Sequence, residues 1–294
     1  MRTARSIVLV LAVLCGVDAG RTPGSAQPPP TPFVVDGTSA PDEFSTVWIQ
    51  TKTSSGTSTY LCSGTLIGTN RILTAGHCIC AACTMTVGFG PRMNAAGDQI
   101  LANVVGVSLH PLYQKSGPEM QPGFDLAVLS LDGYTSGPEY KKPIPVYPIS
   151  LAVRTNELLI VGYGLTEMRT PSGSASFGEK RKATVRMSSA TCTQPWAGRA
   201  GCVKFREFVL QSSATLLNNG LGPDTCNGDS GGPAFVVGKN NTRSLVGVTS
   251  RALVPKGGFS NQGCGFGGIY EYAGVPLVLS WLRNVVPDLQ VAPQ

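Results

Sequence analysis

Histidine, charge and long apolar runs are all scarce in this chain of 294 residues. The sequence holds only two histidines, which narrows any search for a general base. Charged residues make up 14%, and the formal net charge of +6 is mild and spread along the chain, so composition gives no argument for nucleic-acid binding. Because no apolar run reaches the length needed to cross a bilayer, we expect no membrane span.

Glycine and proline are plentiful instead, at 36 and 22 residues, which suits short strands and turns better than a helical bundle. From Val34 onward, runs of β-type residues separated by turns predict an all-β sandwich or set of barrels. The predicted strands are 46–51, 60–67, 84–89, 100–109, 126–131, 158–163, 183–187, 234–237 and 244–249. Only 275–286 has helical character, because Leu277, Trp281 and Val285 recur near helical spacing.

The N-terminal segment has the features of an export signal. Arg2 and Arg5 precede an apolar run over 7–17 that is too short to span a membrane. This pattern predicts a signal peptide over 1–19, with cleavage possible as late as residue 26. We therefore expect a secreted, extracellular protein.

A lipoprotein anchor on Cys15 is the alternative for this segment, but Leu14 is bulkier than such a cleavage site normally takes. The proline-rich stretch 20–33 predicts an extended propeptide outside the core. Loss of Cys15 with the signal would leave eight of the nine cysteines, and an even number in an exported chain indicates disulfides.

Three short motifs hold side chains suited to nucleophilic catalysis. His77 ends an apolar strand in the run TAGHC, Asp125 opens the run DLAVL, and Ser230 lies in the glycine-rich run GDSGGP. Each motif alone is common in proteins that catalyse nothing. The second histidine, His110, lies where a strand meets a proline turn, and we interpret it as a structural residue.

The three side chains supply what serine catalysis requires. A serine hydroxyl is a weak nucleophile and needs a neutral imidazole to take its proton. The imidazole needs a carboxylate on its far nitrogen, which fixes the tautomer and stabilises the imidazolium. The oxyanion needs two converging N–H donors, and glycines beside the serine allow the turn that aims the N–H groups of Gly228 and Ser230. His77, Asp125 and Ser230 are thus a candidate catalytic triad.

Together the three motifs, in the order His, Asp, Ser, resemble the chymotrypsin family of serine peptidases and its trypsin-like members in particular. The resemblance covers nearly all of 34–286 and implies an all-β fold of two antiparallel six-stranded β-barrels with a C-terminal α-helix. The first barrel would span about 34–145 and the second about 146–272, with the helix over 275–286 and a tail over 287–294. The active site would lie in the cleft between the barrels.

The resemblance also implies how the enzyme is activated. In the family, cutting of the propeptide frees an α-amino group that pairs with the acid preceding the serine, since a buried ammonium without a partner is costly. These roles fall on Val34 and Asp229. Phe33 precedes the cut where Lys or Arg is usual, so a protease of another specificity would be needed.

Three residues match the primary specificity pocket of trypsin-like members. Asp224 matches the residue at its base, Ser250 lies on a wall, and Gly268 matches the small residue that leaves room inside. A buried carboxylate at the base would pair with Arg or Lys of the substrate.

The pocket wall that begins with Ser250 departs from the family pattern after that residue. Arg251 and Ala252 stand where Trp and Gly are typical, and 253–263 resembles an insertion. Ala252 could narrow the mouth of the pocket, and Arg251 could pair with Asp224 and block it.

The resemblance implies the disulfides Cys62–Cys78, beside the histidine, and Cys226–Cys264, beside the pocket. Cys192–Cys202 would close a loop of the second barrel, and Cys80–Cys83 would be the remaining pair. A metal site or redox dithiol formed with Cys80 and Cys83 is the alternative. Disulfides are favoured in an exported chain, so we expect no metal and no cofactor.

The sequence therefore predicts a monomeric secreted serine endopeptidase that cleaves protein or peptide substrates after Arg or Lys and can be bound by protein protease inhibitors. The alternatives are an inactive homologue acting as a secreted binding protein and a thiol–disulfide protein built on Cys80 and Cys83. Asn240 begins a glycosylation sequon. The stretch 164–181, with its basic end, predicts an exposed loop open to self-cleavage at Arg181.

Overall fold

The computed structural model describes Val34 and residues 37–56, 59–93, 100–113, 123–133, 142–165, 178–193, 201–212, 222–253 and 264–293. Most of these residues lie in antiparallel strands or in the turns that join them. No helix among them combines the length and hydrophobicity that crossing a bilayer requires.

Six antiparallel strands close into the first barrel, in the order β2-β3-β4-β7-β6-β5. They are β2 (Thr46–Thr53), β3 (Thr59–Gly68), β4 (Arg71–Thr74), β5 (Cys83–Phe89), β6 (Ile100–Leu109) and β7 (Ala127–Leu131). In the register of β4 with β7, Thr74 lies opposite Ala127. This pairing brings the residues just after β4 and just before β7 together at one end of the barrel.

The second barrel is the ring β8-β9-β10-β13-β12-β11, closed by the pairing of β8 with β9. Its strands are β8 (Glu157–Gly162), β9 (Arg181–Ser189), β10 (Glu207–Gln211), β11 (Pro233–Val237), β12 (Arg243–Ala252) and β13 (Gly268–Tyr272). The predicted fold of two six-stranded barrels is thus confirmed. A short strand β1 (Thr38–Ser39) pairs with β9 and joins the sheet of the second barrel, although its position falls in the range expected for the first.

The predicted C-terminal helix is present over Pro276–Val285. Its buried residues are Val278, Trp281 and Leu282, whereas Leu277, one of the residues whose spacing indicated the helix, is 57% exposed. The predicted helix is therefore confirmed. The other helices are short: an α-helix over Ile149–Ala152 and 3-10 turns over Gly76–Cys78 and Lys239–Asn241.

The predicted exposed loop is wrong at its basic end. Lys180 is fully buried and donates from Nζ to the Glu43 carbonyl oxygen at 2.9 Å. Arg181 is buried as the first residue of β9, and its guanidinium pairs with Glu179 at 2.9 Å. A protease needs an extended, accessible peptide, so self-cleavage at Arg181 is not expected; residues 166–177 of this stretch lie outside the described residues.

The structure contains four disulfides, which tie neighbouring turns and strands together: Cys62–Cys78, Cys80–Cys83, Cys192–Cys202 and Cys226–Cys264. Cys80 and Cys83 bond to each other, so the alternative of a free dithiol at these positions does not fit this structure. The sulfurs of Cys62 and Cys78, which lie near His77, are likewise bonded to each other and not available as thiolate ligands.

Candidate active site

The three residues of the candidate triad come from the ends of strands in both barrels. His77 lies in the 3-10 turn that follows β4, and Asp125 lies two residues before β7 begins. The opposed ends of these two strands place both side chains at the same end of the first barrel. Ser230 lies in the turn before β11 of the second barrel.

His77 and Asp125 are joined by two hydrogen bonds. Nδ1 of His77 lies 2.7 Å from Oδ2 of Asp125, and the His77 backbone N–H donates to Oδ1 at 2.8 Å. The Ser250 hydroxyl also donates to Oδ2, at 2.7 Å. Because an ionised carboxylate only accepts hydrogen bonds, Nδ1 of His77 carries the proton and Nε2 is left to act as a base.

Asp125 is buried yet ionised. Burial acts to raise the pKa of this carboxyl, but the hydrogen bonds and charge of His77 and the hydroxyl of Ser250 outweigh burial and hold the pKa below its usual value. A fixed negative charge therefore lies behind the imidazole, where it can stabilise an imidazolium.

His77 and Ser230 line the same two depressions in the surface. One is a cleft of about 770 Å³ that runs along the first barrel past Tyr60 and Leu61. The other is a cavity of about 270 Å³, which Ser250 helps to line. The imidazole and the serine are therefore both accessible from the same open surface.

Strand β3 of the first barrel supports the turn that carries Ser230. The Ser63 backbone N–H donates to the Ser230 carbonyl oxygen at 2.8 Å, and the Ser63 hydroxyl donates to the Gly228 carbonyl oxygen at 2.9 Å. Gly228 and Gly231 have φ values of 99° and 81°, which favour glycine. A Cβ on Gly231 would also collide with the Thr74 hydroxyl.

Ser63 donates hydrogen bonds to the carbonyl oxygens of this turn, whereas two backbone N–H donors of the same turn remain available. Among the described residues, the N–H groups of Gly228 and Ser230 have no protein acceptor. These are the two donors that the sequence predicts for an oxyanion hole.

Asp224 is buried at the turn six residues before Ser230, and its carboxylate is bound by backbone N–H groups and by the Thr225 side chain. Thr225 donates to Oδ1 at 2.8 Å, and Gly265 and Gly267 donate to Oδ2 at 2.9 and 3.0 Å. Burial raises the pKa of Asp224 to about 7, and these N–H groups offset only part of that effect. These donors can hold the Asp224 carboxylate, but no basic side chain among the described residues forms an ion pair with it.

Asp229 is buried in a similar environment. The N–H groups of Gly164 and Cys226 donate to its two oxygens at 2.7 and 2.8 Å, and a Cβ on Gly162 or Gly164 would collide with the carboxylate. Burial raises the pKa of Asp229 to about 7. Val34 is also buried, and the chain is continuous through it, so its nitrogen is an amide here and carries no positive charge.

Arg251 does not pair with Asp224, although the sequence left that pairing open. Its guanidinium forms a two-pronged ion pair with Glu207, at 2.7 and 2.8 Å, and donates to the Gly201 carbonyl oxygen at 2.9 Å. It also donates to the Ser250 hydroxyl oxygen at 3.3 Å. Arg251 lines the 270 Å³ cavity, whose described lining does not include Asp224; residues 254–263 lie outside the described residues.

Sequence reasoning missed two buried acids behind Asp125. The Asp125 backbone N–H donates to Oε1 of Glu271 at 3.1 Å, and the Gly123 N–H donates to Oε1 of Glu207 at 3.1 Å. A glutamate inside an otherwise apolar run, such as Glu271 in GGIYEYAGV, is the signal that could have drawn attention to them.

His110 has the structural role that we expected. Its ring stacks on Phe124 with centroids 4.4 Å apart, and Nδ1 accepts the Leu112 N–H at 3.3 Å. Burial and the charge of Arg206 lower the pKa of His110 to about 4, so it remains neutral in the core.

Comparison with known proteins agrees with this geometry. The family model for trypsin matches residues 34–281. The trypsin of Saccharopolyspora erythraea is 30% identical over 199 residues, which cover 64% of this chain and 74% of that protein. Trypsin 5G1 of Aedes aegypti is 28% identical over 237 residues, 78% of this chain and 76% of that protein. Human (Homo sapiens) kallikrein-8 is 27% identical over 233 residues, 77% of both chains. The matched region holds both barrels and all three motifs, and the chain belongs to the trypsin family of serine peptidases.

Proposed function

We propose that the chain is a secreted serine endopeptidase that hydrolyses peptide bonds after Arg or Lys through an acyl-enzyme. The observation that carries the proposal is the 2.7 Å contact between Nδ1 of His77 and Asp125, on an imidazole that lines the same cavity as Ser230. A base oriented by a buried carboxylate beside a serine is the arrangement that acyl transfer requires.

In the proposed reaction, the Ser230 hydroxyl oxygen bonds to the carbonyl carbon of the substrate while Nε2 of His77 takes the hydroxyl proton. The C–N bond then breaks, and the imidazolium gives that proton to the leaving amine. Water next adds to the Ser230 ester, with His77 again taking a proton and returning it to the Ser230 oxygen as the acid product leaves. Asp125 stays ionised and stabilises the imidazolium in both halves.

The oxyanion formed in each half-reaction would accept hydrogen bonds from the N–H groups of Gly228 and Ser230. The support for this role is their position in a turn whose carbonyls are held by Ser63. Donors already aimed at the developing charge stabilise the transition state, and removing one such donor from a comparable site costs about 2.7–4 kcal/mol.

The preference for Arg or Lys rests on Asp224, with Ser250 and Gly268 as neighbours in the pocket. A Cβ on Gly268 would approach the Tyr270 ring to 3.0 Å and the Thr225 hydroxyl to 3.2 Å, so a larger residue there would press on Thr225, which lines the 270 Å³ cavity. A substrate cation would supply the partner that Asp224 lacks, and would favour its ionised form.

Activation would likewise supply a cation to a buried carboxylate, here that of Asp229. Cleavage between Phe33 and Val34 would create an α-amino group on a residue that is already buried, and this ammonium would pair with the Asp229 carboxylate. We infer that an external protease without a requirement for Lys or Arg makes this cut.

Secretion is part of the proposal because the predicted signal peptide over 1–19 and four disulfides both suit an oxidising compartment. The substrates would be extracellular proteins or peptides, and protein protease inhibitors are the expected partners of a monomeric enzyme.

The experiment is digestion of a peptide library by a chain that begins at Val34, released from a fusion whose removal leaves Val34 first. We expect cleavage after Arg and Lys, and none with Ser230→Ala. With Asp224→Asn, we expect kcat/KM for Arg and Lys substrates to fall about 10²–10³-fold, since loss of one partner of a buried ion pair costs about 3–5 kcal/mol.

Uncharged substrates serve as the control, because their cleavage should change little in Asp224→Asn. Cleavage after uncharged residues that is insensitive to Asp224→Asn would refute the specificity and leave the mechanism standing. A Val34 chain that cleaves nothing, or cleaves equally well with Ser230→Ala, would refute the enzymatic function.

A further inference from the structure

The segment that carries Asp125 is bound to the second barrel by two buried glutamates. Glu207 in β10 and Glu271 in β13 lie directly opposite each other in the register of these antiparallel strands. Both side chains are fully or almost fully buried. Glu207 accepts the N–H of Gly123 and Glu271 accepts the N–H of Asp125, each at 3.1 Å.

Between these two bonds lies a strained residue. Phe124 has a φ of 57°, in the left-handed region that non-glycine residues seldom adopt. The residue is held there from several sides: His110 stacks on its ring, and the Arg206 guanidinium lies 4.3 Å from the ring centroid. The glutamates fix the backbone N–H groups on either side, so they help to maintain the turn that aims the Asp125 carboxylate.

Two carboxylates on directly opposed residues of a buried strand pair do not both ionise, because their repulsion is not screened by water. Burial, the charge of Glu207 and a hydrogen bond with its side chain raise the pKa of Glu271 well above its usual value. Glu207 is the partner that binds Arg251 through both oxygens. The pair therefore holds one proton, which lies on Glu271, and one negative charge, which lies on Glu207 and is balanced by Arg251.

The ionisable groups that act on Glu271 are Glu207 from β10, Arg251 from β12 and Asp125 from the first barrel. Asp125 is in turn bound by His77 and acts on Tyr113. Burial and the charge of Asp125 raise the pKa of Tyr113 to about 12, so this tyrosine is neutral at working pH. With Arg251 cancelling the charge of Glu207, Asp125 is the one uncompensated anion that acts on His77 among the residues that the structure describes.

We propose that Glu207 and Glu271 are positioning residues for the catalytic acid: through their hydrogen bonds to the N–H groups of Gly123 and Asp125, the pair clamps the Asp125 segment across the two barrels. The inference rests on the proposed serine-peptidase function. A protonated glutamate can accept the Asp125 N–H and donate to Glu207 at the same time, which an ionised one cannot. The glutamine side chain has the same acceptor and donor, so Glu271→Gln should preserve the clamp.

The test uses Val34-starting enzymes whose active sites are counted by titration with a fluorophosphonate, so that misfolded molecules do not enter kcat. For Glu271→Met we expect kcat per active site to fall about 10–100-fold with little change in KM, because a misaligned catalytic group loses rate and the pocket is untouched. Glu271→Gln should lie within about threefold of the parent. Glu43→Met, which removes another buried glutamate bound to an arginine, is the matched control and should keep the parental kcat.

The pH–rate profile separates positioning from general support. In Glu271→Met, a less well-held Asp125 stabilises the imidazolium less, so the acidic limb moves to lower pH. In Glu207→Gln, the negative charge moves to Glu271, closer to His77, and the acidic limb moves to higher pH. Shifts of opposite sign are not expected from a loss of stability, and Glu43→Met should show neither.

The proposal is overturned if Glu271→Met keeps the parental kcat and profile, or if Glu271→Gln is as impaired as Glu271→Met. If Glu271→Met does not fold, the glutamine variants decide, and equal profiles in Glu207→Gln and Glu271→Gln contradict the assigned proton. The low-field proton NMR signal of the His77–Asp125 hydrogen bond gives a readout that needs no turnover. It should move in Glu207→Gln and stay in place in Glu271→Gln, so failure of the clamp is distinguishable from failure of the peptidase function.

Discussion

Two groups of buried acids in this molecule differ in how their charge is balanced. Asp125 and the Glu207–Glu271 pair have partners within the chain, since His77 bonds to the first and Arg251 to the second. Asp224 and Asp229 are bound by backbone N–H groups and have no ion pair among the described residues. The first group is complete as the chain folds, whereas the second would be completed by cations that arrive later.

This difference separates the catalytic machinery from the parts that depend on substrate and activation. Asp224 would gain the side chain of a substrate, and Asp229 would gain the new amino group of Val34. Burial raises the pKa of each carboxyl to about 7, which is the consequence of burying an acid before its partner is present. In contrast, the pKa of Asp125 is held below its usual value.

The largest effect on stability should come from breaking the internally balanced group. Arg251→Met would leave Glu207 as a buried charge without a partner, and we expect the free energy of unfolding to fall by about 3–5 kcal/mol. Urea denaturation monitored by fluorescence measures this directly.

Arg243→Met is the matched control, because Arg243 also pairs with a buried glutamate, Glu43, at 2.7 Å. Lys182 remains 3.1 Å from Glu43 in that variant, so the loss should be clearly smaller. Equal losses in Arg251→Met and Arg243→Met would show that the Glu207 site has no special dependence on its arginine.

A smaller effect should appear in the pH dependence of the uncut chain. Asp224 and Asp229 bind protons in the folded state up to about pH 7 and in the unfolded state only below about pH 4. Their contribution to stability is therefore full in acid and is lost as pH rises from about 4 to 7, with a slope of about 1.4 kcal/mol per pH unit for each group.

Asp229→Asn isolates one of these contributions, since its stability difference from the parent should vary with pH in that window for the uncut chain. Cleavage before Val34 should flatten the variation, because the ammonium then keeps Asp229 ionised. Parallel stability curves for the uncut parent and Asp229→Asn would contradict an unpaired, protonatable Asp229.

The barrels and the meeting of His77 with Asp125 could be predicted from sequence because their signals are local. Runs of β-type residues between turns indicated nine of the strands near their observed positions, and TAGHC and GDSGGP each hold a candidate catalytic residue together with the small residues its turn requires. Strand β4 was missed because Arg71–Thr74 is short, and β10 and β13 were missed because each carries a buried glutamate that breaks the apolar pattern.

What could not be predicted depends on contacts between distant parts of the chain. Glu207 and Glu271 meet only through the register of β10 with β13, and Glu271 reaches Asp125 only because two barrels pack together. The partner of Arg251 could not be predicted for the same reason. Asp224 and Glu207 are both acids that could pair with an arginine, and the fold places Glu207 beside Arg251. Lys180 and Arg181 looked exposed because basic clusters usually are, but their strand lies against β1 and β8.

The most direct test of the account is the rate at which a fluorophosphonate labels Ser230, with the labelled residue identified by peptide mass mapping. The account predicts rapid labelling of the chain that begins at Val34 and slower labelling of the chain that keeps residues before Val34. Asp125→Asn should label about 10⁴-fold more slowly, because an amide holds the imidazole in the wrong tautomer. A Val34 chain that is not labelled at Ser230, or one whose labelling is unchanged by Asp125→Asn, would contradict the claim that these three residues form a working triad.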